Sequence, residues 1–290
     1  MLNIIENKNG ILHVGGSGDF SVFRTFDCGQ CFRFDAVENS EYECEFRGVA
    51  RGRKIGFAQN ETGSFYIIGA DTDDLPMWEN YLALDIDYTK INRSITEKIT
   101  DPEDKRITEE ARDTSLGIRI LRQDRWEALC SFIVSQNNNI PRIKKIISAM
   151  CEKYGNDLGG AYDFPTPEAL ASAGEKAIFD LRCGFRAKYI HGAALSVADG
   201  SLSLDDVSDA KSYSDAEALL TSLKGVGPKV AACTLLFGFE RYDAFPIDVW
   251  IRKVLAKYYS EGFDPASFGE YAGIAQQYLF YFERYLGGNE

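Results

Sequence analysis

The sequence predicts an α+β protein in which an N-terminal antiparallel β-sheet domain is followed by a mainly helical region. Residues 1 to about 75 contain short runs in which apolar and polar side chains alternate between glycines, which is typical of strands with one buried face. Further along, apolar residues recur at helical spacing, as in the segment 126–136. We therefore place the N-terminal domain, with its connecting helices, at residues 1–117 and the helical region at residues 118–290.

Each element of this outline has its own pattern. Alternating runs predict six strands, at residues 11–14, 20–23, 30–34, 42–46, 53–58 and 65–68. The composition then becomes acidic and helical over about 71–112, which indicates connecting helices. Asp124 is placed to cap the helix 126–136, because its carboxylate can accept hydrogen bonds from first-turn amides. The apolar stripe of that helix consists of Trp126, Leu129, Cys130 and Ile133.

Composition limits the classes of partner. With 290 residues, 45% of them hydrophobic and 26% charged, the chain is long enough for two domains and a substantial core. The formal net charge of −12 argues against a protein that coats nucleic acid through bulk electrostatics. A local positive face needs only a few cations, and the candidates are Arg142, Lys144, Lys145, Arg182, Arg186 and Lys188. No signal-peptide pattern and no run of about eighteen apolar residues appear, so we expect a cytoplasmic, nucleoid-associated protein without membrane contact.

Cysteine and histidine usage argues against a bound metal. The seven cysteines are scattered along apolar segments, as expected of reduced, buried thiols, and Cys28 and Cys31 form the only C-x-x-C pair. This pattern predicts neither a zinc site nor an iron–sulfur cluster. The histidines, His13 and His191, stand alone, which argues against a histidine-based triad. We therefore expect no metal and no small-molecule cofactor.

A short glycine hairpin organises the helical region. The segment 223–227 reads LKGVG and opens into a helix that begins with proline, a residue that fits the first helical position. Unpaired amides at a helix N-terminus, helped by the helix dipole, suit a phosphate. We therefore predict a helix–hairpin–helix motif over about 213–257, in which Gly225, Val226 and Gly227 contact an anionic backbone.

An amine and a carboxylate lie close to this hairpin in the sequence. Lys229 is in the first helical turn, where the helix dipole disfavours a cation and so favours a neutral, nucleophilic amine. Asp248 follows Phe-Pro-Ile and is placed to cap the next helix. The two groups could therefore face a shared site.

The hairpin, Lys229 and the segment FPIDVW, which contains Asp248, together resemble the helix–hairpin–helix DNA glycosylases. Within them, the similarity is to the 8-oxoguanine DNA glycosylases/AP lyases of the eukaryotic type, which some bacteria also carry. The resemblance implies damaged double-stranded DNA as partner, Lys229 as nucleophile and Asp248 as the stabilising carboxylate. Trp250 stands where relatives often have a histidine near the 5′ phosphate of the lesion, which is a departure from the family pattern.

Two further stretches resemble the parts of this family that contact the opposite strand. A run of three asparagines begins at Asn137, and the resemblance implies that Asn137 and Arg142 contact the orphan cytosine. Helix capping is the alternative, for which Asn138 or Asn139 is better suited.

The second stretch surrounds Gly184, which we expect to end a helix in a left-handed conformation. Phe185 and Arg186 would then lie on an exposed link, where an aromatic side chain could fill the hole left by an extruded nucleotide. The family usually has tyrosine at the position of Phe185. Core packing of Phe185 is the alternative.

The resemblance also implies a pocket for the damaged base. Gln276 and Phe280 are four residues apart on the last helix and so project from one face. By resemblance, Gln276 bonds the Watson–Crick edge, while Phe280 and Cys233 pack on opposite sides of the ring; core packing is the alternative for Phe280 alone. Gly29 matches the glycine whose main-chain carbonyl tests N7, which is an acceptor in guanine and an N–H donor in 8-oxoguanine.

The implied activity is excision of 8-oxoguanine, preferably opposite cytosine, followed by β-elimination at the abasic site. We expect the protein to act as a monomer. Two alternatives stay open from the sequence: a related glycosylase for other damaged purines, such as alkylated ones, and a catalytically silent DNA-binding module.

Overall fold

The computed structural model describes residues 2–285 and confirms the α+β class, with a sheet first and helices after it. The strands are β1 (Asn3–Lys8), β2 (Ile11–Gly15), β3 (Phe34–Ala36), β4 (Cys44–Ala50), β5 (Arg53–Gln59) and β6 (Ser64–Ile68). They form one sheet in the order β1-β2-β6-β5-β4-β3. Every neighbouring pair is antiparallel.

Helices make up most of the remaining structure. They are α1 (Val22–Phe26), α2 (Leu75–Tyr81), α3 (Tyr88–Glu97), α4 (Pro102–Thr114), α5 (Arg125–Ser135), α6 (Ile140–Tyr154), α7 (Pro167–Ala173), α8 (Glu175–Ile178), α9 (Ala187–Ala198), α10 (Leu204–Asp209), α11 (Tyr213–Thr221), α12 (Pro228–Gly238), α13 (Val249–Tyr258) and α14 (Ala272–Tyr285). Within residues 2–285, no helix has both the length and the apolar character needed to cross a bilayer.

Two of the predicted strands are wrong. Residues 20–23 lead into α1, because the Ser21 hydroxyl caps this helix and Val22 and Phe26, four residues apart, are buried on one helical face. Residues 30–33 are irregular, since the buried side chain of Gln30 bonds main-chain groups in place of a strand ladder. Strand β1 was not predicted because it is largely exposed and so lacks an alternating pattern.

Aromatic residues form the core between the sheet and the helices α1 and α2. The Phe57 ring in β5 stacks on Phe26 of α1 with a centroid distance of 5.1 Å. It also meets the edge of the fully buried Trp78 of α2 at 5.7 Å. Both helices therefore pack on the sheet face to which Phe57 points.

The other helices share a second core. Helices α3 and α4 belong to it, since Tyr88, Ile91 and Ile107 lie in the same buried cluster as Leu129 and Ile133 of α5. The connecting helices thus join the helical core through their apolar faces. The domain boundary between residues 117 and 118 stays a prediction.

The cysteines are free thiols, as the sequence predicts. Six of the seven are buried, and Cys44 is partly buried. In the part of the chain that the structure describes, no group of three or more His, Cys, Asp or Glu side chains is placed to hold a metal ion.

Candidate active site and nucleic-acid interface

The hairpin between α11 and α12 packs its backbone against an aromatic ring. Gly225 has a φ of 90°, and a Cβ atom at this position would lie 2.2 Å from the ring of Tyr189 on α9. Only glycine fits there. Gly227 is the N-cap of α12 and is exposed, and a Cβ atom at this residue would have no heavy atom within 4 Å. The hairpin therefore has a tightly packed inner side and an open outer side.

The expected loop of unpaired amides is only partly present. The Val226 amide donates to the Leu223 carbonyl at 3.0 Å, and the Val226 side chain is buried, so this amide is not free for a phosphate. The amides of Gly225 and Gly227 have no acceptor among the described residues. The amide of Lys229 lies in the first helical turn, where helix geometry leaves such groups unpaired.

Lys229 and Asp248 flank one buried thiol. Burial raises the pKa of Cys233 on α12 to about 11. The nearby Lys229 ammonium lowers that pKa, and the nearby Asp248 carboxylate raises it. The Lys229 Nζ lies 5.9 Å from the centre of the Phe132 ring. An amine, a thiol and a carboxylate thus lie close to one another beside the hairpin.

Asp248 also caps α13, as the sequence predicts. Its Oδ1 accepts a hydrogen bond from the Ile251 amide at 2.8 Å, which fixes the carboxylate at the helix N-terminus. Trp250 is 51% exposed, and the Lys253 Nζ lies 5.4 Å from its ring centre. The rim beside Asp248 therefore carries an exposed aromatic side chain with a cation on its face.

Gly29 and Phe280 lie together despite their separation in sequence. Gly29 has a φ of 76°, and a Cβ atom there would lie 3.5 Å from Ile140 and 3.6 Å from the Phe280 ring. One turn before Phe280 on α14, Gln276 is buried, and its Oε1 has no hydrogen-bond partner among residues 2–285. A buried, unpaired acceptor is costly, so this position favours a ligand that carries a donor.

The asparagine run forms a turn before α6. Asn139 is the cap, since its side chain accepts a hydrogen bond from the Arg142 amide at 3.0 Å. Asn137 is exposed with a left-handed φ of 47°, and its side chain has no partner within the described chain. Arg142 is also exposed, and its guanidinium lies 3.5 Å from the Arg182 carbonyl. Two polar side chains on this turn therefore face solvent.

Phe185 lies on an exposed link, which excludes core packing for its ring. It is 49% exposed, and its ring meets the edge of Tyr189 at a centroid distance of 6.1 Å. Gly184 has a positive φ of 60°, but it is Arg182 that adopts the left-handed helical conformation predicted for Gly184, with φ 65° and ψ 24°. Because Tyr189 also packs on Gly225, one ring connects this link with the hairpin.

Arg186 was expected to lie on an exposed link, and this prediction is wrong. Its side chain is 3% exposed, because the turn that contains it directs the guanidinium inward, onto main-chain carbonyls. Nε donates to Gln136 at 2.8 Å, Nη2 to Asn137 at 2.8 Å and Nη1 to Cys183 at 3.2 Å. The guanidinium also lies 4.4 Å from the Phe185 ring centre. Burial lowers the pKa of Arg186, and the side chain joins the asparagine turn to the exposed link.

Several contacts near these residues were not predicted. Tyr189 follows the exposed aromatic at helical spacing, but the sequence does not show that its ring covers Gly225. Three buried glutamines, Gln30, Gln123 and Gln277, donate to main-chain carbonyls around Gly29. The available signal was a polar residue in an otherwise apolar run, which Gln277 on α14 illustrates.

Comparison with known families covers most of the chain. Residues 16–129 match the model of the 8-oxoguanine DNA glycosylase N-terminal domain. Residues 130–266 match that of the helix–hairpin–helix superfamily of base excision DNA repair proteins.

Two curated relatives share these regions. The chain is 34% identical over 289 residues to the N-glycosylase/DNA lyase OGG1 of Arabidopsis thaliana, with 88% of this chain and 75% of that protein covered. It is 39% identical over 158 residues to the N-glycosylase/DNA lyase of Saccharomyces cerevisiae, and this match spans 49% of the chain and 42% of the yeast protein.

Two solved structures are similar over nearly their whole length. MBOgg1 in complex with a low-affinity DNA ligand has 39% identity and a TM-score of 0.87, with 99% of each chain covered. The Clostridium acetobutylicum 8-oxoguanine glycosylase/lyase, in complex with double-stranded DNA containing cytosine opposite 8-oxoguanine, has 33% identity and a TM-score of 0.85, with 98% of each chain covered.

Proposed function

The chain belongs to the family of helix–hairpin–helix 8-oxoguanine DNA glycosylases/lyases, and we propose that it excises 8-oxoguanine opposite cytosine with Lys229 as the nucleophile. The observation that carries the proposal is that Lys229 and Asp248 both lie near the buried Cys233 thiol, with the Asp248 carboxylate held at the N-terminus of α13. The protein acts as a monomer on duplex DNA.

The chemistry assigned to Lys229 begins with the neutral amine. Its lone pair attacks C1′ of the nucleotide as the glycosidic bond breaks, and the bonding electrons leave with the base, which takes up a proton. Loss of a proton from the new amine and opening of the sugar ring give a Schiff base. Removal of a C2′ proton then expels the 3′ phosphate by β-elimination. The Asp248 carboxylate, held in place by its bond to the Ile251 amide, stabilises positive charge that develops on the sugar.

Recognition of the base combines four groups, of which Gln276 and Phe280 are on α14. The damaged nucleotide leaves the base stack so that its base can enter the pocket. The unpaired Oε1 of Gln276 suits the donors on the Watson–Crick edge of a guanine-type base, and Phe280 stacks on the ring. The Gly29 carbonyl accepts the N7–H of 8-oxoguanine, a donor that guanine lacks. Cys233 covers the other face of the ring.

Selectivity for cytosine opposite the lesion comes from the asparagine turn. Asn137 and Arg142 are exposed and together offer an amide and a guanidinium to a base edge. Phe185 enters the gap left by the extruded nucleotide. Gly225 and Gly227 hold the phosphate backbone of the lesion strand, and Trp250 contacts it at the rim.

Borohydride trapping tests the proposal directly. The protein is incubated with duplexes that carry 8-oxoguanine opposite each of the four bases, and the Schiff base is reduced to a stable covalent adduct. We expect an adduct chiefly opposite cytosine and none with Lys229→Gln, because glutamine has no nucleophilic amine.

Lys224→Gln is the matched control, since Lys224 is an exposed lysine of the same hairpin. It removes a positive charge near the DNA but leaves the nucleophile, so adduct formation persists. An adduct in Lys229→Gln would place the nucleophile elsewhere. Base release without an adduct in the parent protein would exclude the lyase step.

A further inference from the structure

The main-chain carbonyls around Gly29 are hydrogen-bonded on both sides of it. The Cys28 carbonyl accepts a bond from Nε2 of Gln277 at 2.8 Å, and the Gln30 carbonyl accepts one from Nε2 of Gln123 at 2.8 Å. The Gly29 carbonyl between them has no donor in the described part of the chain. Both donors are buried, Gln277 with 3% and Gln123 with 8% exposure. The pattern leaves one free acceptor in a loop that is otherwise held by side chains.

We propose that Gln277, together with Gln123, is a positioning residue that keeps the Gly29 carbonyl directed at N7 of the damaged base. This role rests on the proposed function and deepens it, because it assigns the selectivity against normal guanine to residues outside the pocket wall. Neither glutamine touches the base in this assignment.

The physical problem is the freedom of glycine. Glycine tolerates many backbone conformations at little cost, so the Gly29 carbonyl needs support from its neighbours. Gln277 holds the peptide unit before the one that carries this carbonyl, and Gln123 holds the unit after it. The two bonds thereby fix the Cα atoms of Gly29 and Gln30, which set where the carbonyl stands relative to the base.

Gln30 restrains the same peptide unit through its side chain. This side chain is fully buried, its Nε2 donates to the Thr25 and Arg119 carbonyls at 2.8 Å, and its Oε1 accepts from the Leu121 amide at 2.8 Å. These bonds fix the Cα position of Gln30, but they leave the Gly29 side of the unit to be held from α14. Gln277 is the residue of α14 that does so.

A displaced Gly29 carbonyl would weaken the selectivity. When it is held in place, the carbonyl pairs with the N7–H of 8-oxoguanine and repels N7 of guanine, which is an acceptor. By holding the carbonyl, Gln277 and Gln123 therefore disfavour guanine as much as they favour 8-oxoguanine.

Binding of the two bases tests this role. In the Lys229→Gln background, which prevents turnover, Kd is measured for duplexes that differ only in 8-oxoguanine or guanine opposite cytosine. We expect Gln277→Met to lower the ratio of the two Kd values by about tenfold, the effect of about one net hydrogen bond. The affinity for the guanine duplex should stay equal or increase. Gln123→Met, which acts on the other side of Gly29, should change the ratio in the same direction.

Gln59→Met is the matched control. Gln59 is a buried glutamine of β5 whose amide donates to the Phe20 and Ser64 carbonyls, and it makes no bond to residues 27–30. This variant loses more buried hydrogen bonds than either test variant, because Oε1 of Gln59 also accepts a bond from the Val22 amide. A general loss of stability would therefore appear in Gln59→Met too, while the ratio stays that of the parent.

An unchanged ratio in Gln277→Met and Gln123→Met would overturn the positioning role while leaving the proposed function intact. So would an equal loss of affinity for both duplexes, because that result indicates only a structural contribution. A parent protein that does not prefer the 8-oxoguanine duplex would instead overturn the proposed function, and the selectivity role with it.

Discussion

The packing of Tyr189 on Gly225 gives a sharp prediction for Gly225→Ala. An alanine Cβ would lie 2.2 to 2.6 Å from three atoms of the Tyr189 ring, and the residue would have to keep a φ of 90°. Both effects act on the folded state. Gly227→Ala in the same hairpin is the control, because its Cβ meets nothing within 4 Å and its φ of −95° suits any residue.

The magnitude follows from these two contributions. A left-handed conformation costs an L-residue about 1 to 2 kcal/mol, and overpacking a rigid site costs about 1 to 3 kcal/mol. We therefore expect Gly225→Ala to lower the free energy of unfolding by about 2 to 5 kcal/mol. Gly227→Ala loses only the preference of an N-cap for glycine over alanine, about 1 kcal/mol or less.

A double-mutant cycle separates the clash from the backbone strain. In a Tyr189→Ala background the ring is gone, so Gly225→Ala should cost only the conformational part, about 1 to 2 kcal/mol. The coupling between the two positions is then about 1 to 3 kcal/mol. Equilibrium urea unfolding of the four proteins measures it. Equal unfolding free energies for Gly225→Ala and Gly227→Ala would show that the close packing and the positive φ of Gly225 carry no cost. A coupling near zero would show that the Tyr189 ring is not the source of the clash.

The remaining predictions concern the pocket wall, pH and the buried arginine. In a fluorescence anisotropy titration, Gly29→Ala should abolish the preferential binding of 8-oxoguanine DNA. Gly18→Ala is the control, because Gly18 also has a positive φ but has open surroundings. This variant should lose a similar amount of stability and keep the preferential binding. Burial raises the pKa of Glu127 from its ordinary value of 4.5 to about 7, so its contribution to stability is full below pH 4.5 and is lost as the pH rises through 7. Urea unfolding from pH 4 to 8 should show this decline, and Glu127→Gln should flatten it. Arg186→Met should lower the free energy of unfolding by about 2 kcal/mol, because it leaves buried carbonyls without donors. Calorimetric scans of this variant and of Arg182→Met test the prediction. Arg182 is exposed, so its substitution should change the stability little.

The parts of the fold that depend on local chemistry could be predicted from the sequence. Asp124, Asn139 and Asp248 cap the helices expected of them, because a cap requires only a short side chain next to a free helix end. The strands predicted at 11–14, 53–58 and 65–68 are confirmed for a similar reason, since alternation reflects one buried face. The strand predicted at 42–46 overlaps β4, which begins two residues later. The irregular segment 30–33 could not be predicted, because the side chain of Gln30, which replaces a strand ladder there, binds the Arg119 carbonyl and the Leu121 amide far along the chain. The strand predicted at 20–23 was wrong for a local reason, since the Ser21 cap begins a helix there.

The same distinction applies to the candidate site. Lys229 and Asp248 come from two short stretches close together in the sequence, and both lie near Cys233 in the structure. The predicted exposure of Arg186 was wrong, because the sequence does not show that its guanidinium donates to carbonyls of the asparagine turn. Gln277 was missed since its acceptor, the Cys28 carbonyl, lies almost the whole chain away. Contacts of this kind depend on tertiary packing, for which a single sequence has no periodic signal.

The acidic composition is compatible with a DNA partner because of how the charges are distributed. Carboxylates neutralise arginines that hold the fold together, as in the pair of the buried Arg122 with Asp85 at 2.8 Å. By contrast, Arg142, Lys145 and Lys188 are exposed and form no ion pair within residues 2–285. Carboxylates more than about 10 Å away are largely screened at 0.1 M salt, so these cations still attract phosphates locally. We expect these three cations to help hold the phosphate backbone near the asparagine turn, α6 and α9.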